Sequence, residues 1–556
     1  MKKSVFSKRL IIGYIVICFI IITAYNLLLI KKPESKKIDI SHTSIYGEYL
    51  AANYAFRNLE FKEAARIFRE FFSKSNNQNE LDFASTTYLA NIVAGDFDYA
   101  LSIAKSYKNI NYISSHYLEV IICLQQQKFK EAIRILNSLD AINYFDSFIR
   151  EMLIIWASFD NNEVKKAMNA FDTLEVPGNL YNVAKLQQAL LYDLANDQKQ
   201  AMEAYTELEN DLSDFYYSNL IGNFYERTGD LIRAKLLYEK SISLNSEISL
   251  SHNFIGGDRP IKSSTQAMAQ FFTDIAKNLM PTNTIHILEY LQLALYIDPS
   301  YEQAKLMIAN FYFLNKKYEY AIDILTQIDA TSDYYEMAQI ELANILIQQN
   351  KKLEARNLLK NILVKSPNIM GLSLFSLIVN EENNEKELID ILNLHINKIT
   401  ELEKSHWILF YLRASEYHLL HELELSEQDY LQSFALAPDN CTVANDLSYN
   451  WLLQQKNYDQ AFDLIIKAMK KCPASPALID SMGWAYYIKN DYINAKKYIE
   501  EALKLDPDNV EILEHLGDVY GKLMLKTQSK FHYEHALNVC TNPKIINRLK
   551  AKLNEK

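Results

Sequence analysis

Residues 476–507, PALIDSMGWAYYIKNDYINAKKYIEEALKLDP, and residues 509–540, NVEILEHLGDVYGKLMLKTQSKFHYEHALNVC, are two copies of one unit. At an offset of 34 residues Gly483 aligns with Gly517, and a tyrosine three residues later aligns as well. Self-similarity at this period is typical of stacked helix–turn–helix units. The stretch therefore predicts an all-α solenoid.

A small residue near the start of the second helix marks each unit along the chain. A small side chain is expected there because the two helices cross closely, so a larger one would push them apart. Successive markers are mostly 33 to 35 residues apart. From the N-terminus the markers are Ala64, Ala100, Ala132, Ala167, Ala201, Ala234, Ala321, Ala355, Ser426, Ala461, Ala495 and Ser529, with the larger Leu388 at the corresponding position of one unit.

With Leu-Gly and Tyr on the first helix and Ala, Tyr and Ala on the second, the unit resembles the tetratricopeptide repeat (TPR). About 14 units fit between Ile45 and Thr541, the N-terminal ones degenerate. The opening YGEYLAANYAFRNLEFKEAA (46–65) and the ending DSMGWAYY…EHLGDVY also look like exported, membrane-anchored TPR proteins of alphaproteobacteria. That family has no established activity, so the resemblance implies a binding scaffold and no catalyst.

One segment breaks the register and divides the repeats. Residues 246–265 contain paired Gly and a Pro without helical periodicity, so we expect an irregular loop between a degenerate array, 45–245, and a second array, 266–541. The loop is either a plain surface excursion or a hinge or partner-docking element. Residues 542–556 are expected to form a solvated capping helix over the last apolar face.

The N-terminus predicts a membrane anchor. After a basic head at 1–9, residues 10–30 form a 21-residue apolar run, which is long enough to cross a bilayer; a linker at 31–44 follows. The basic head favours a cytoplasmic N-terminus and repeats on the periplasmic face of a bacterial inner membrane. A signal peptide cleaved after Ala24 is one alternative, although Ile22 fits the small-x-small rule poorly. The opposite topology is another, because the linker is basic too.

Charge and cysteine content limit the kinds of ligand that the repeats are expected to bind. The chain has a net charge of −11 and its first 37 residues carry +7, so the repeats are strongly acidic. This argues against a nucleic-acid ligand and favours neutral or basic protein segments. The five cysteines lack CxxC spacing, so we expect buried thiols, not a disulfide framework or a zinc site.

Catalytic and cofactor motifs are absent from the sequence: it contains neither GxxxxGK[ST], GxGxxG, GxSxG nor HExxH. Two histidine clusters, His418 with His421 and His532 with His535, are expected to be ordinary polar residues, because no third ligand is evident. The repeats leave no room for a catalytic domain. We therefore expect no enzyme activity and no cofactor or metal.

Two candidate grooves follow from the positions that line the inner face in TPR proteins. The ninth position is Asn in several units (Asn53, Asn223, Asn310 and Asn344), and an amide suits contacts to a peptide backbone. The last three units instead combine carboxylates with aromatic rings, which suits a Lys- or Arg-bearing segment. These residues are Asn445, Tyr449, Asp480, Trp484, Tyr487, Glu511, Glu514 and Asp518.

Together these features predict a membrane-anchored TPR scaffold that binds extended or basic segments of other envelope proteins in its concave groove. The alternative is a non-catalytic subunit that recruits substrates, or assists assembly, for an envelope enzyme or a polysaccharide or lipid export complex. Self-association is compatible with either hypothesis.

Overall fold

The computed structural model describes residues 45–74, 81–107, 110, 112, 114–141, 143–209, 215–244, 258–279, 284–540 and 542–554. These residues form α-helices and a few 3₁₀ turns, which confirms the predicted all-α fold. The chain divides into two compact units at Ile110. The predicted domain boundaries remain predictions, and the head, anchor and linker at 1–44 lie outside the described residues.

The helices follow one another as antiparallel pairs. The first unit contains α1 (Ile45–Arg57), α2 (Phe61–Lys74), α3 (Leu81–Ala94) and α4 (Phe97–Ser106). The second unit begins with α5 (Ser114–Gln125), α6 (Phe129–Ser138), α7 (Tyr144–Asp160), α8 (Val164–Ala170), α9 (Tyr181–Leu194), α10 (Gln198–Glu209), α11 (Phe215–Thr228), α12 (Leu231–Leu244), α13 (Ser264–Leu279) and α14 (Thr284–Ile297).

The second unit continues with α15 (Glu302–Leu314), α16 (Tyr318–Leu325), α17 (Tyr335–Gln348), α18 (Lys352–Leu363), α19 (Ile369–Glu381), α20 (Glu385–Ile396), α21 (Trp407–Leu419), α22 (Leu423–Leu436), α23 (Cys441–Leu453), α24 (Tyr458–Lys471), α25 (Pro476–Ile488), α26 (Tyr492–Leu505), α27 (Val510–Lys522), α28 (Lys526–Val539) and α29 (Pro543–Asn554).

The marker residues behave as the sequence predicts. Each occupies the fourth position of the second helix of its pair and has no exposed surface. The facing glycines show how closely the helices cross: a Cβ atom on Gly483 would lie 2.4 Å from the Ile499 side chain, and one on Gly517 would lie 2.5 Å from the Tyr533 ring. The small residues therefore set the distance between the helices of a pair.

The turns inside most of the described pairs share one conformation; the turn between α23 and α24 differs, with positive φ at Gln455 and Asn457. A residue with positive φ stands five positions before the marker, and the next residue donates its N–H to a carbonyl of the first helix. This is the left-handed cap that commonly ends a helix. The residues at this turn are Leu59, Gly95, Gln127, Asn162, Asn196, Gly229, Lys316, Asn350, Asn383, His421, Asn490 and Met524.

The hairpin α13–α14 packs on the first helices α5, α7 and α9 and not only on its neighbours in sequence. Every residue from Ala267 to Ala276 is buried, so α13 is enclosed on all sides. The ring centroids of Phe148 on α7 and Phe271 on α13 are 5.7 Å apart. The chain's own hairpin therefore covers the inner face of these repeats.

The segment that leads into α13 lies against the same first helices. Arg259 Nε is 3.2 Å from Asp193 Oδ1 on α9, and Ile261 is buried. Asn223 on α11 donates a hydrogen bond of 3.0 Å to the carbonyl of Asp258. The described part of the predicted loop is thus packed against the chain's own first helices. Neither of the two interpretations, a plain surface excursion or a loop that docks a partner, predicted this contact.

One expectation about the cysteines is wrong. Cys441 and Cys472 form a disulfide between the start of α23 and the end of α24, with their Cα atoms 6.6 Å apart. Spacing in sequence did not indicate it because the two helices of a pair run antiparallel, which brings residues 31 apart together. Cys123 is a buried thiol as expected.

No helix among the described residues combines the length and the apolar character needed to cross a bilayer. The predicted anchor at 10–30 stays a prediction.

Candidate functional site

The first helices α23, α25 and α27 bring five side chains into one inner strip. Trp484 stacks on Tyr487, with ring centroids 4.5 Å apart, and on His515, with centroids 4.1 Å apart. The hydroxyl of Tyr449 lies 3.2 Å from His515 Nε2. Asp480 Oδ2 lies 2.7 Å from His515 Nδ1. The strip therefore consists of aromatic rings around a buried Asp–His pair.

His515 is cationic at neutral pH. Burial by itself would lower the pKa of His515, but the charge and hydrogen bond of Asp480, with Glu511 and Asp518 nearby, raise it to about 9. Asp480 was predicted to bind a cation of a partner protein. It already forms an ion pair with His515 through Oδ2. The sequence did not indicate His515, because it stands at the sixth position of its unit, next to Glu514, and that position is not one of those that line the inner face in TPR proteins.

Polar atoms at this strip lack partners among the described residues. Asp480 Oδ1, Asn445 Oδ1 and Trp484 Nε1 are buried and accept or donate no hydrogen bond. Asn445, Tyr449, Asp480 and Glu511 line a cavity of about 80 Å³. Buried polar groups in proteins nearly always have partners, so two acceptors and one donor without them indicate a place for a ligand's polar groups.

A second carboxylate that sequence reasoning missed lines this cavity. Asn445 donates a hydrogen bond of 3.0 Å to Asp446, and Tyr411 donates one of 2.8 Å to the same carboxyl group. Burial raises the pKa of Asp446 to about 6, and the nearby Glu511 contributes, despite these two bonds. An N–H donor that entered the cavity would stabilise its ionised form.

The remaining predicted acidic residues have different environments. Glu511 is exposed. Glu514 accepts two hydrogen bonds from Arg548, of 2.9 and 2.6 Å, and Asp518 pairs with Lys552 at 2.6 Å. Burial raises the pKa of Glu514, but these cations outweigh it and the pKa is lowered. Glu514 and Asp518 thus form ion pairs with α29 of the same chain and not with a separate partner.

The four predicted asparagines do not share one environment. Asn53 is partly buried and donates a hydrogen bond of 2.9 Å to the carbonyl of Tyr49 on its own helix. Asn223 is fully buried; it donates to the chain's own backbone and accepts a bond of 2.9 Å from Arg227. Asn344 is buried and Asn310 is exposed. Asn223 thus binds a peptide backbone as the hypothesis proposed, but the backbone is that of Asp258.

The histidine clusters have structural roles. His418 lies beside Tyr449, and His421 is a turn residue with φ of 60°. His532 stacks on Tyr520 and His535 pairs with Asp508. Across the described ranges no three His, Cys, Asp or Glu side chains are grouped as metal ligands.

These paired helices define a helical repeat protein, and sequence comparison identifies the repeat. The tetratricopeptide repeat family matches residues 216–248 and 477–509. The first stretch covers α11 and α12 and the second covers α25 and α26. The chain therefore contains at least two tetratricopeptide repeats, and repeats of this family form scaffolds for protein–protein interaction.

Relatives among characterised proteins match only part of the chain. A TPR repeat-containing protein of Pseudomonas aeruginosa is 36% identical over 110 residues, which is 20% of this chain and 18% of that protein. The anaphase-promoting complex subunit CDC16 of Saccharomyces cerevisiae is 39% identical over 59 residues, 9% of this chain and 7% of that subunit. The matches thus span less than a fifth of either relative.

Two solved structures match larger shares of the chain at lower sequence identity. The Cut9–Hcn1 hetero-tetramer has a TM-score of 0.36 at 13% identity, with 93% of this chain and 97% of that chain covered. A tetratricopeptide repeat protein of Parabacteroides merdae has a TM-score of 0.38 at 16% identity, with 46% and 100% covered.

Proposed function

We propose that this chain is a membrane-anchored scaffold of the bacterial cell envelope. In this proposal it is non-catalytic and binds segments of other proteins at the inner strip of α23, α25 and α27. The observation that carries the proposal is the set of buried, unpartnered polar atoms on Asn445, Asp480 and Trp484, which lie beside aromatic rings. Such a strip is suited to hold a chain segment by its polar groups and its side chains together.

The chemistry of the strip favours an extended or basic partner segment. Two of the unpartnered atoms, Asn445 Oδ1 and Asp480 Oδ1, are acceptors, which match backbone N–H groups or Lys and Arg side chains. The exposed Glu511 adds negative charge at the rim of the strip. A nucleic acid does not fit this environment because its phosphates would face carboxylates.

Two features support an envelope location with the N-terminus in the cytoplasm and the repeats in the periplasm. Disulfides persist in oxidising compartments, and the Cys441–Cys472 bond fits such a compartment. The apolar run at 10–30 with its basic head fits a single membrane passage in that direction. A reporter enzyme fused after Lys556 tests the topology: activity restricted to the cytoplasm contradicts it.

Site-specific photocrosslinking in cells tests the binding strip. A photoreactive residue at the exposed position of Glu511 is expected to capture a small, reproducible set of envelope proteins. The same residue at Ile493, exposed on the second helix α26, serves as the matched control and is expected to capture none of them.

A blocking substitution makes the test specific. Asn445→Lys places a cation at the cavity and is expected to abolish capture from position 511, whereas Thr442→Lys on the exposed side of the same helix leaves it unchanged. Equal capture from positions 511 and 493, or capture that survives Asn445→Lys, would show that the strip is not the binding site. An enzyme among the captured proteins would favour the recruiting-subunit alternative.

A further inference from the structure

The helix α29 carries cations on one face, four residues apart, at Lys544, Arg548 and Lys552. Side chains at this spacing lie in one row along a helix. Arg548 binds both oxygens of Glu514 on α27, and Lys552 lies 2.8 Å from the same carboxylate. The carboxylates at this end of the inner face therefore suit a helix that carries cations. In this structure that helix is α29.

The row extends to a part of the chain that is distant in sequence. Lys544 Nζ lies 3.0 Å from Oε1 of Glu385, a residue 159 positions earlier, at the start of α20. The side chain of Glu385 is only 5% exposed. A cation that replaced Lys544 would meet a carboxylate with little access to water, and such a charge needs a partner.

The attachment of α29 combines its ion pairs with apolar contacts of Leu549, Ile545 and Leu553. The side chains of Lys544 and Arg548 are 57% and 55% exposed. Among the described side chains of α29, that of Leu549 is fully buried. A 12-residue helix is marginal on its own in water. Ion pairs with one exposed member weaken as salt rises. The helix is thus held by one apolar cluster together with ion pairs that weaken as salt rises.

We propose that α29 is a resident ligand of this groove and that a basic amphipathic helix of a partner protein displaces it. The matching partner segment has cations at positions i, i+4 and i+8 and an apolar residue in the place of Leu549. The repeats are acidic, so a neutral or acidic helix would leave Glu385, Glu514 and Asp518 without counterions. This proposal rests on the scaffold function and adds the class of partner segment.

A peptide with the sequence of residues 542–554 is the probe. In the full-length chain with Lys544→Gln, Arg548→Gln and Lys552→Gln, which keeps the Leu549 contact, a fluorescent peptide is expected to bind at least about tenfold more tightly than to the unmodified chain. The matched control is Lys550→Gln, which removes an exposed cation from another face of α29 and is expected to leave affinity at the unmodified level. A peptide with the three cations replaced by Gln is expected not to bind.

Hydrogen exchange on the unmodified chain provides a second measurement that does not depend on the folding of the variant. Saturating peptide is expected to accelerate exchange at 543–554 while α28 stays protected. Unchanged exchange there, or equal affinity of the peptide for both chains, overturns the proposal. So does a dimer that dissociates in the triple variant, because it would assign the site to a second copy of the chain.

The two proposals fail separately. If crosslinks from position 511 persist and are blocked by Asn445→Lys while the peptide does not bind, the scaffold function stands and the displacement of α29 is excluded. If the peptide binds but position 511 captures nothing, the groove accepts a basic helix and the binding strip has been placed wrongly.

Discussion

Ser426 and Ser529 stand where most second helices have alanine, and each hydroxyl has a defined partner. Ser426 donates a bond of 2.9 Å to the carbonyl of Ala414, and Ser529 donates one of 2.7 Å to that of Gly517. Both side chains are fully buried, so an unpaired hydroxyl would cost free energy. Serine is accepted at the marker position because the facing helix supplies an acceptor across the close crossing.

The turn residues provide a test of backbone strain. Met524 has φ of 61° and its side chain is 80% exposed, so it adopts a left-handed conformation without compensating packing. Met524→Gly is expected to stabilise the C-terminal pair by about 0.5–1 kcal/mol. Glycine removes the free-energy cost of the left-handed conformation, but part of this gain is offset because glycine gives the unfolded chain more conformational freedom. Urea unfolding measures the change. An equal gain in the control Met524→Ala would contradict the strain argument, because alanine retains a Cβ.

The Asp480–His515 pair predicts a pH dependence. The folded pKa of about 9 exceeds the unfolded value, so the contribution of His515 is complete at acidic pH and is lost as pH rises through 9. The difference in unfolding free energy between the chain and His515→Gln is therefore expected to shrink from pH 6.5 to 9, by on the order of 3 kcal/mol. Denaturation at several pH values measures it, with the partly exposed His535→Gln as control. A difference that is constant or grows with pH would refute the pairing.

At the scale of elements, the disulfide joins the ends of α23 and α24, the pair that begins the binding strip. A cross-link between residues 31 apart is expected to contribute about 3 kcal/mol, mainly by restricting the unfolded chain. We expect reductant to lower the melting temperature of the unmodified chain and to have no effect on the Cys441→Ser, Cys472→Ser variant. Free thiols at both positions in protein isolated from cells would show that the bond does not form there.

At the scale of the molecule, segments of the chain cover inner faces of its own repeats. Phe271 is fully buried between α13 and the distant helix α7. Phe271→Ala is expected to destabilise the second compact unit by about 3–5 kcal/mol. Hydrogen exchange should rise in α7 and α9 although they lie far away in sequence. The exposed Phe531→Ala is the control. Unchanged protection in α7 and α9 would mean that the repeats are stabilised only by their sequence neighbours.

The sequence alone was sufficient to predict the repeat because its signals are local. Ala495 is fully buried where its helix crosses the first helix, and Gly483 has no room for a Cβ atom, so small residues recur at most of these crossings. The turn conformation was not predicted, since residues as unlike as Leu59 and Met524 adopt it. There the geometry of the pair overrides the preference of the residue.

Only the tertiary structure decided how the inner faces are used. The acidic and aromatic residues of the last units were evident from spacing, but their partners were not. Asp480 pairs with His515 one unit later, Glu514 pairs with Arg548 on α29, and Asn223 binds the backbone of Asp258. The physical reason is that periodicity reports contacts between neighbouring helices, whereas these contacts depend on how the stacked repeats bring residues distant in sequence to the same face.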